Sequence, residues 1–132
     1  MTLLLDTHIL LWWLDDHPAL PSRAAVAIAD PDASVFVSAA TAWEIAIKAA
    51  AGKLEAPDDL LEAIQANDFA TLDITLSHAL GAGRLPPHHG DPFDRMLIAQ
   101  ARIERLTLIS VDGRFRAYDV DLLPLDDGRA RP

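Results

Sequence analysis

Three consecutive leucines, Leu3-Leu4-Leu5, followed at once by Asp6 and Thr7, restrict what this chain can become. A strand with one wet face alternates apolar and polar residues, whereas a run that is apolar at every position fits a parallel strand covered on both faces. Such a strand needs helices above and below it, and the remaining sequence supplies them. An apolar stretch through Leu14 reads as a helix ending near His17-Pro18, and Pro21-Ser22 opens an alanine-rich helix that stops before Asp30-Pro31. Ser34 to Val37 reads as a short strand, and Ser38 or Thr41 caps a long helix closed by Gly52. Pro57 to Ala66 reads as a helix with Pro57 near its first position, Ala70 to Ile74 as a strand and Leu76 to Gly83 as a short helix. After a loop from Leu85 to Gly90, Asp91-Pro92 starts the clearest helix, which ends near Arg105. Leu106 to Val111 is a strand, Asp112-Gly113 a turn, and Val120 to Pro124 a final edge strand.

Strands alternating with helices predict an α/β domain, a mainly parallel sheet between two helical layers. A chain of 132 residues fits one such domain, expected over residues 1–127, with 128–132 as a frayed tail. In sheets of this kind ligands bind beyond the carboxyl ends of the strands. That edge is where unusual residues should be sought.

Composition removes several chemistries. The chain has no cysteine, which excludes a disulfide scaffold, a thiolate zinc site and a cysteine nucleophile. Its longest apolar run, Ile9 to Leu14, is far too short to span a bilayer, and no signal peptide is apparent, so a cytoplasmic protein is expected. A net charge of -9 should repel bulk nucleic acid. An acidic protein that nevertheless acts on nucleic acid needs its carboxylates masked, most simply by divalent cations.

Four acids stand where acids are costly. Asp6 ends the first strand, where it caps the next helix or serves a site. Glu44 lies in a helix that is apolar almost all round, with Lys48 one turn on as an i,i+4 partner. In Asp91-Pro92-Phe93-Asp94, Asp91 is the ordinary helix cap, while Asp94 shares a face with Ile98 and Ala101 and should point inward. Asp112 follows another strand, where an Asp-Gly turn is the plain explanation. Together Asp6, Asp94 and Asp112 come from separate segments that the sheet brings to one edge, with Glu44 nearby. Thr7 and Ser110 either orient a carboxylate or water or serve the helix start and the strand, and Asp91 is a further candidate behind Asp94. Clustered carboxylates need a counter-charge, and oxygen donors favour Mg²⁺ or Mn²⁺, so the pattern suggests metal-assisted phosphodiester hydrolysis. His88 and His89 resemble a ligand pair, but adjacent residues diverge in direction and these read as a solvated loop. Trp12, Trp13 and Trp43 read as core or interface aromatics rather than base-stacking platforms.

Leu3-Leu4-Leu5-Asp6-Thr7-His8, Thr41-Ala42-Trp43-Glu44-Ile45, the run from Asp91-Pro92-Phe93-Asp94-Arg95 to Ala101, and Ile109-Ser110-Val111-Asp112 together resemble PIN-domain proteins of the VapC toxin type. The resemblance implies a three-layer α/β/α fold with a five-stranded parallel sheet and Mg²⁺- or Mn²⁺-dependent ribonuclease activity on RNA. It matches Asp6, Glu44, Asp94 and Asp112 to the family's acidic quartet, with Asp112 the least consistently placed and Asp91 a rival to Asp94. It further implies a cognate antitoxin and a homodimer. A housekeeping nuclease and a non-catalytic module of the same fold remain the alternatives.

Overall fold

The computed structural model describes residues 1–125; the expected tail over 128–132 lies outside them. Four strands, β1 (Thr2–Leu5), β2 (Ser34–Ser38), β3 (Ala70–Leu72) and β4 (Thr107–Ile109), form one parallel sheet in the order β3-β2-β1-β4. Six α-helices connect and cover them: α1 (Thr7–Leu14), α2 (Ser22–Ala29), α3 (Ala39–Ala50), α4 (Leu60–Ala66), α5 (Leu76–Gly83) and α6 (Pro92–Glu104). A short 3-10 helix over Gly113–Ala117 follows β4.

The leucine run behaves as a doubly covered strand must. Leu3 and Leu5 join a core with Ile9 and Leu10 of α1, Ala24 and Ile28 of α2 and Ile64 of α4. Leu4 faces the opposite way, into a second core with Leu97, Ile98 and Ala101 of α6 and with Phe115 and Tyr118. Val35 and Val37 fall in the first core with Ile109, and Leu108 in the second, so alternate residues of each strand feed opposite faces. All three leucines are fully buried, each side chain contributing roughly 1.5–3 kcal/mol by area.

The sheet has four strands, not the expected five. Leu122 makes a single parallel bridge with Leu108, through Leu108 N–H to Asp121 O (2.8 Å) and Leu123 N–H to Leu108 O (3.0 Å). The ladder cannot grow in one direction because Leu106 N–H is already given to Ala101 O, closing α6. Nor does it grow in the other, because β4 ends at Ile109 and the chain turns at Ser110, whose Oγ accepts from Asp112 N–H. Pro57 likewise does not start α4: Asp59 caps it, accepting from Glu62 N–H, and the helix begins at Leu60. Trp43 is not in the core, with 63% of its surface exposed.

The strand order matters for function. β1 to β3 step one way across the sheet and β4 lies on the other side of β1, so the order reverses between β1 and β4. At such a reversal the connections diverge and leave a crevice at the carboxyl ends. Asp6 N–H donates to Ile109 O (3.1 Å), fixing the two strand ends side by side at that crevice.

Candidate active site

Four segments deliver acids to the crevice. Asp6 follows β1 and caps α1, its Oδ1 accepting from Ile9 N–H at 3.0 Å. It is only 6% exposed, and burial pushes its carboxyl up to about 6, with hydrogen bonding from Ser110 and Ile9 only partly offsetting that. The cap to Ile9 N–H uses one carboxylate oxygen of two.

Glu44 lies one and a half turns into α3, whose start is set by Ser38: its Oγ accepts from Ala40 N–H and donates to Gln100 Oε1 at 2.6 Å. Gln100 in turn donates to Asp73 O, so this fully buried amide fastens α3 and α6 to the end of β3. Glu44 itself is buried, taking a hydrogen bond from the Thr7 hydroxyl at one oxygen and from Lys48 at the other. The i,i+4 ion pair and the inward carboxylate coexist, with Lys48 more exposed than its partner.

Asp91 and Asp94 divide their work as their helix positions dictate. Asp91 Oδ1 accepts from both Phe93 N–H (2.8 Å) and Asp94 N–H (3.0 Å), the ordinary capping geometry with proline at the helix start. Asp94 stands one turn above Ile98, and burial raises its pKa first, with the Asp91 charge adding to it. Asp112 caps the 3-10 helix and is clasped by Arg114, whose Nη2 lies 2.7 Å from Oδ2. That guanidinium holds its carboxyl below the usual range.

One residue of the site escapes the sequence reading. His89 is not solvated; it is 4% exposed, with Nε2 2.7 Å from Asp94 Oδ2 and 3.9 Å from Asp112 Oδ2. Asp91 N–H approaches its Nδ1 at 3.4 Å, which assigns the ring proton to Nε2 and makes His89 the donor to Asp94. Adjacent residues do diverge, and His88 is exposed. What turns His89 inward is Arg95, which donates to the carbonyls of Ala82 (2.9 Å), Leu85 (2.9 Å), Pro86 (3.0 Å) and His89 (3.2 Å). Tyr118 Oη accepts from His89 N–H at 2.9 Å and completes the clamp. An arginine beside Asp94 was the one signal in the sequence, and nothing in its spacing said which loop it would hold.

His89, Asp94 and Asp112 each offer a ligand atom, all within 4.8 Å of one another. The donor set fits a hard divalent cation: two ionisable carboxylates whose burial disfavours the bare charge, Asp6 and Asp94, and further oxygens from Glu44 and Asp112.

The PIN domain profile matches residues 3–121. The chain is 32% identical over 120 residues to Ribonuclease VapC22 of Mycobacterium tuberculosis, covering 89% of this chain and 92% of that protein. Its fold is similar to that of VapBC2 from Rickettsia felis bound to a promoter DNA fragment, with a TM-score of 0.65 at 14% identity over 94% of this chain and 98% of the other. It is also similar to a toxin-antitoxin complex from Klebsiella pneumoniae, with a TM-score of 0.66 at 18% identity over 93% and 97% of the two chains. Fold, switch-point acids and sequence similarity agree, and the chain belongs to the PIN-domain family.

Proposed function

We propose that the protein is an Mg²⁺- or Mn²⁺-dependent endoribonuclease and the toxin of a toxin–antitoxin pair. The observation that carries this reading is that Asp6, Glu44 and Asp94, from three separate segments, lie near one another beside the point where the strand order reverses. Thr7 next to Asp6 donates to Glu44, and Asp94 feels the charge of Glu44 and acts on Asp6. The 32% identity to a ribonuclease of the VapC type supports the substrate class. Asp6 and Asp94 would hold the cation, with Glu44 and Asp112 completing its surroundings. A cation bound there lowers the pKa of a bound water and steadies charge on a phosphoryl oxygen.

The chain's own residues prepare that site. The Thr7 hydroxyl and the Lys48 ammonium fix both oxygens of Glu44, so it meets the crevice in one orientation. His89 donates to one oxygen of Asp94 and leaves the other free. Such hydrogen bonds to ligating groups are typically worth about 10- to 100-fold in metal affinity. Asp91 organises the helix start through backbone N–H groups rather than by reaching the cation.

A crevice of this charge also suits inhibition. An arginine of a cognate antitoxin, reaching among Asp6, Glu44 and Asp94, supplies the positive charge that metal otherwise provides and competes with it.

Purified protein treated with EDTA should lose cleavage of single-stranded RNA and regain it with Mg²⁺ or Mn²⁺, while Asp94→Asn stays inactive under both conditions. Full cleavage in metal-free buffer would sink the mechanism.

A further inference from the structure

The three tryptophans are not equivalent. Trp12 and Trp13 are half-buried: Trp12 is flanked by His8 and His17, and Trp13 packs on Phe69 and donates to Asn67. Trp43 is 63% exposed, and its one aromatic neighbour among the described residues is Phe93, in a T-shaped contact with ring centroids 5.4 Å apart. Each member of this pair sits directly beside an acid of the crevice, Trp43 before Glu44 and Phe93 before Asp94. The contact joins α3 and α6, the same two helices that carry Glu44 and Asp94, and those two acids lie close enough for the Glu44 charge to act on Asp94, so the ring pair lies beside the crevice.

Exposing an indole this far costs hydration free energy that a core position would recover, and an acidic chain gives the position a use. With a net charge of -9 the protein has no long-range attraction for a polyanion, so apart from a phosphate at a bound cation, affinity for RNA must come largely from contacts that do not depend on charge. Base stacking on an aromatic face is such a contact, and it is available only where the base is unpaired. Phe93 braces one side of the indole while most of its surface stays open to a flat ligand.

We infer that Trp43, braced by Phe93, is a stacking platform for an unpaired RNA base next to the phosphate held at the acids. The inference rests on the ribonuclease reading for what happens to the bound phosphate, but not for the binding itself. Trp43 is a platform and takes no part in the chemistry.

The test is equilibrium binding of a mixed-sequence ten-nucleotide single-stranded RNA in Ca²⁺ buffer, followed by tryptophan fluorescence and by anisotropy of a labelled strand. Wild type, Trp43→Phe and Trp43→Ala are compared, with circular dichroism to verify folding. Stacking predicts that part of the emission is quenched and that this part vanishes in Trp43→Phe. It also predicts that Trp43→Ala binds roughly ten- to a hundred-fold more weakly while Trp43→Phe recovers most of the loss. A fully abasic strand should bind wild type and Trp43→Ala alike. Equal affinity of wild type and Trp43→Ala for the ten-mer overturns the inference. So does a Trp43→Ala protein that dissociates from dimer to monomer in sedimentation while its RNA affinity holds, which would assign the face to a second copy. A parallel cleavage assay in Mn²⁺ separates the two readings. Trp43-dependent binding without cleavage removes the nuclease reading and leaves the platform; cleavage with Trp43-independent affinity does the reverse.

Discussion

Asp6 and Asp112 stand beyond the carboxyl ends of neighbouring strands, β1 and β4, yet the fold treats their charges in opposite ways. Asp6 is enclosed by the sheet edge and α1, has no cationic side chain hydrogen-bonded to it among the described residues, and is pushed up to about 6. Asp112 is part-exposed, held by Arg114, and pushed down. A strand-end position therefore does not by itself make an acid part of a site. What counts is whether the surroundings leave the charge in need of a cation or already supply one. By that measure we propose that Asp6 and Asp94 depend most on a bound cation and Asp112 least, although the ligand atoms of Asp112, His89 and Asp94 lie within 4.8 Å of one another.

The largest expected effect separates these groups by activity. Asp6→Asn, Glu44→Gln and Asp94→Asn should each lower RNA cleavage by more than about 100-fold, the upper end of what outer hydrogen-bond partners of metal sites contribute. Asp112→Asn should cost about tenfold, because Arg114 already claims much of that carboxylate. A loss in Asp112→Asn equal to that in Asp6→Asn would erase the contrast. His89→Ala comes next, with Mn²⁺ affinity measured by calorimetry expected to fall roughly 10- to 100-fold. His89→Gln, which keeps a donor, should recover part of it.

Stability against pH sharpens the comparison without any enzyme assay. Asp6 moves from 3.8 to about 6 on folding, so between those values the folded protein binds more protons than the unfolded chain. Stability of the metal-free protein therefore falls as pH rises through that window, by up to about 3 kcal/mol from this group alone. Asp94 is shifted in the same direction and adds to the slope. Asp112 has the reverse sign: its contribution is present above the ordinary carboxylate range and is lost on acidification. In EDTA at neutral pH, thermal unfolding should show Asp6→Asn more stable than wild type and Asp112→Asn slightly less stable. The smallest effect is at Asp91. Asp91→Asn should leave stability within a few tenths of a kcal/mol, whereas Asp91→Ala should lose about 1 kcal/mol of capping.

Much of this is legible in the sequence. Leu3-Leu4-Leu5 specified a strand buried on both faces, and each leucine does feed one of two cores. The i, i+4, i+7 spacing of Asp94, Ile98 and Ala101 correctly turned Asp94 inward, because helical periodicity is local. The misreadings came from partners distant in sequence. Val120 to Pro124 has the composition of a strand, but its extension needed Leu106 N–H, which the end of α6 had taken. His89 enters the site only because Arg95 gathers the carbonyls of its loop, and no local pattern encodes that path. Of the two readings of Trp43, core or interface aromatic, its exposure removes the first, and that exposure depends on Glu44, not Trp43, being the residue of α3 that faces inward.

The most direct measurement is Mn²⁺ binding by isothermal titration calorimetry to wild type, Asp6→Asn, Asp94→Asn and Asp112→Asn at pH 6, in buffers of different ionisation enthalpy. A cation held by buried, partly protonated carboxylates predicts proton release on binding to wild type. Binding should be undetectable in Asp6→Asn and Asp94→Asn, and weakened but measurable in Asp112→Asn. Unchanged Mn²⁺ affinity in Asp6→Asn and Asp94→Asn would contradict the assignment of this crevice as the metal centre.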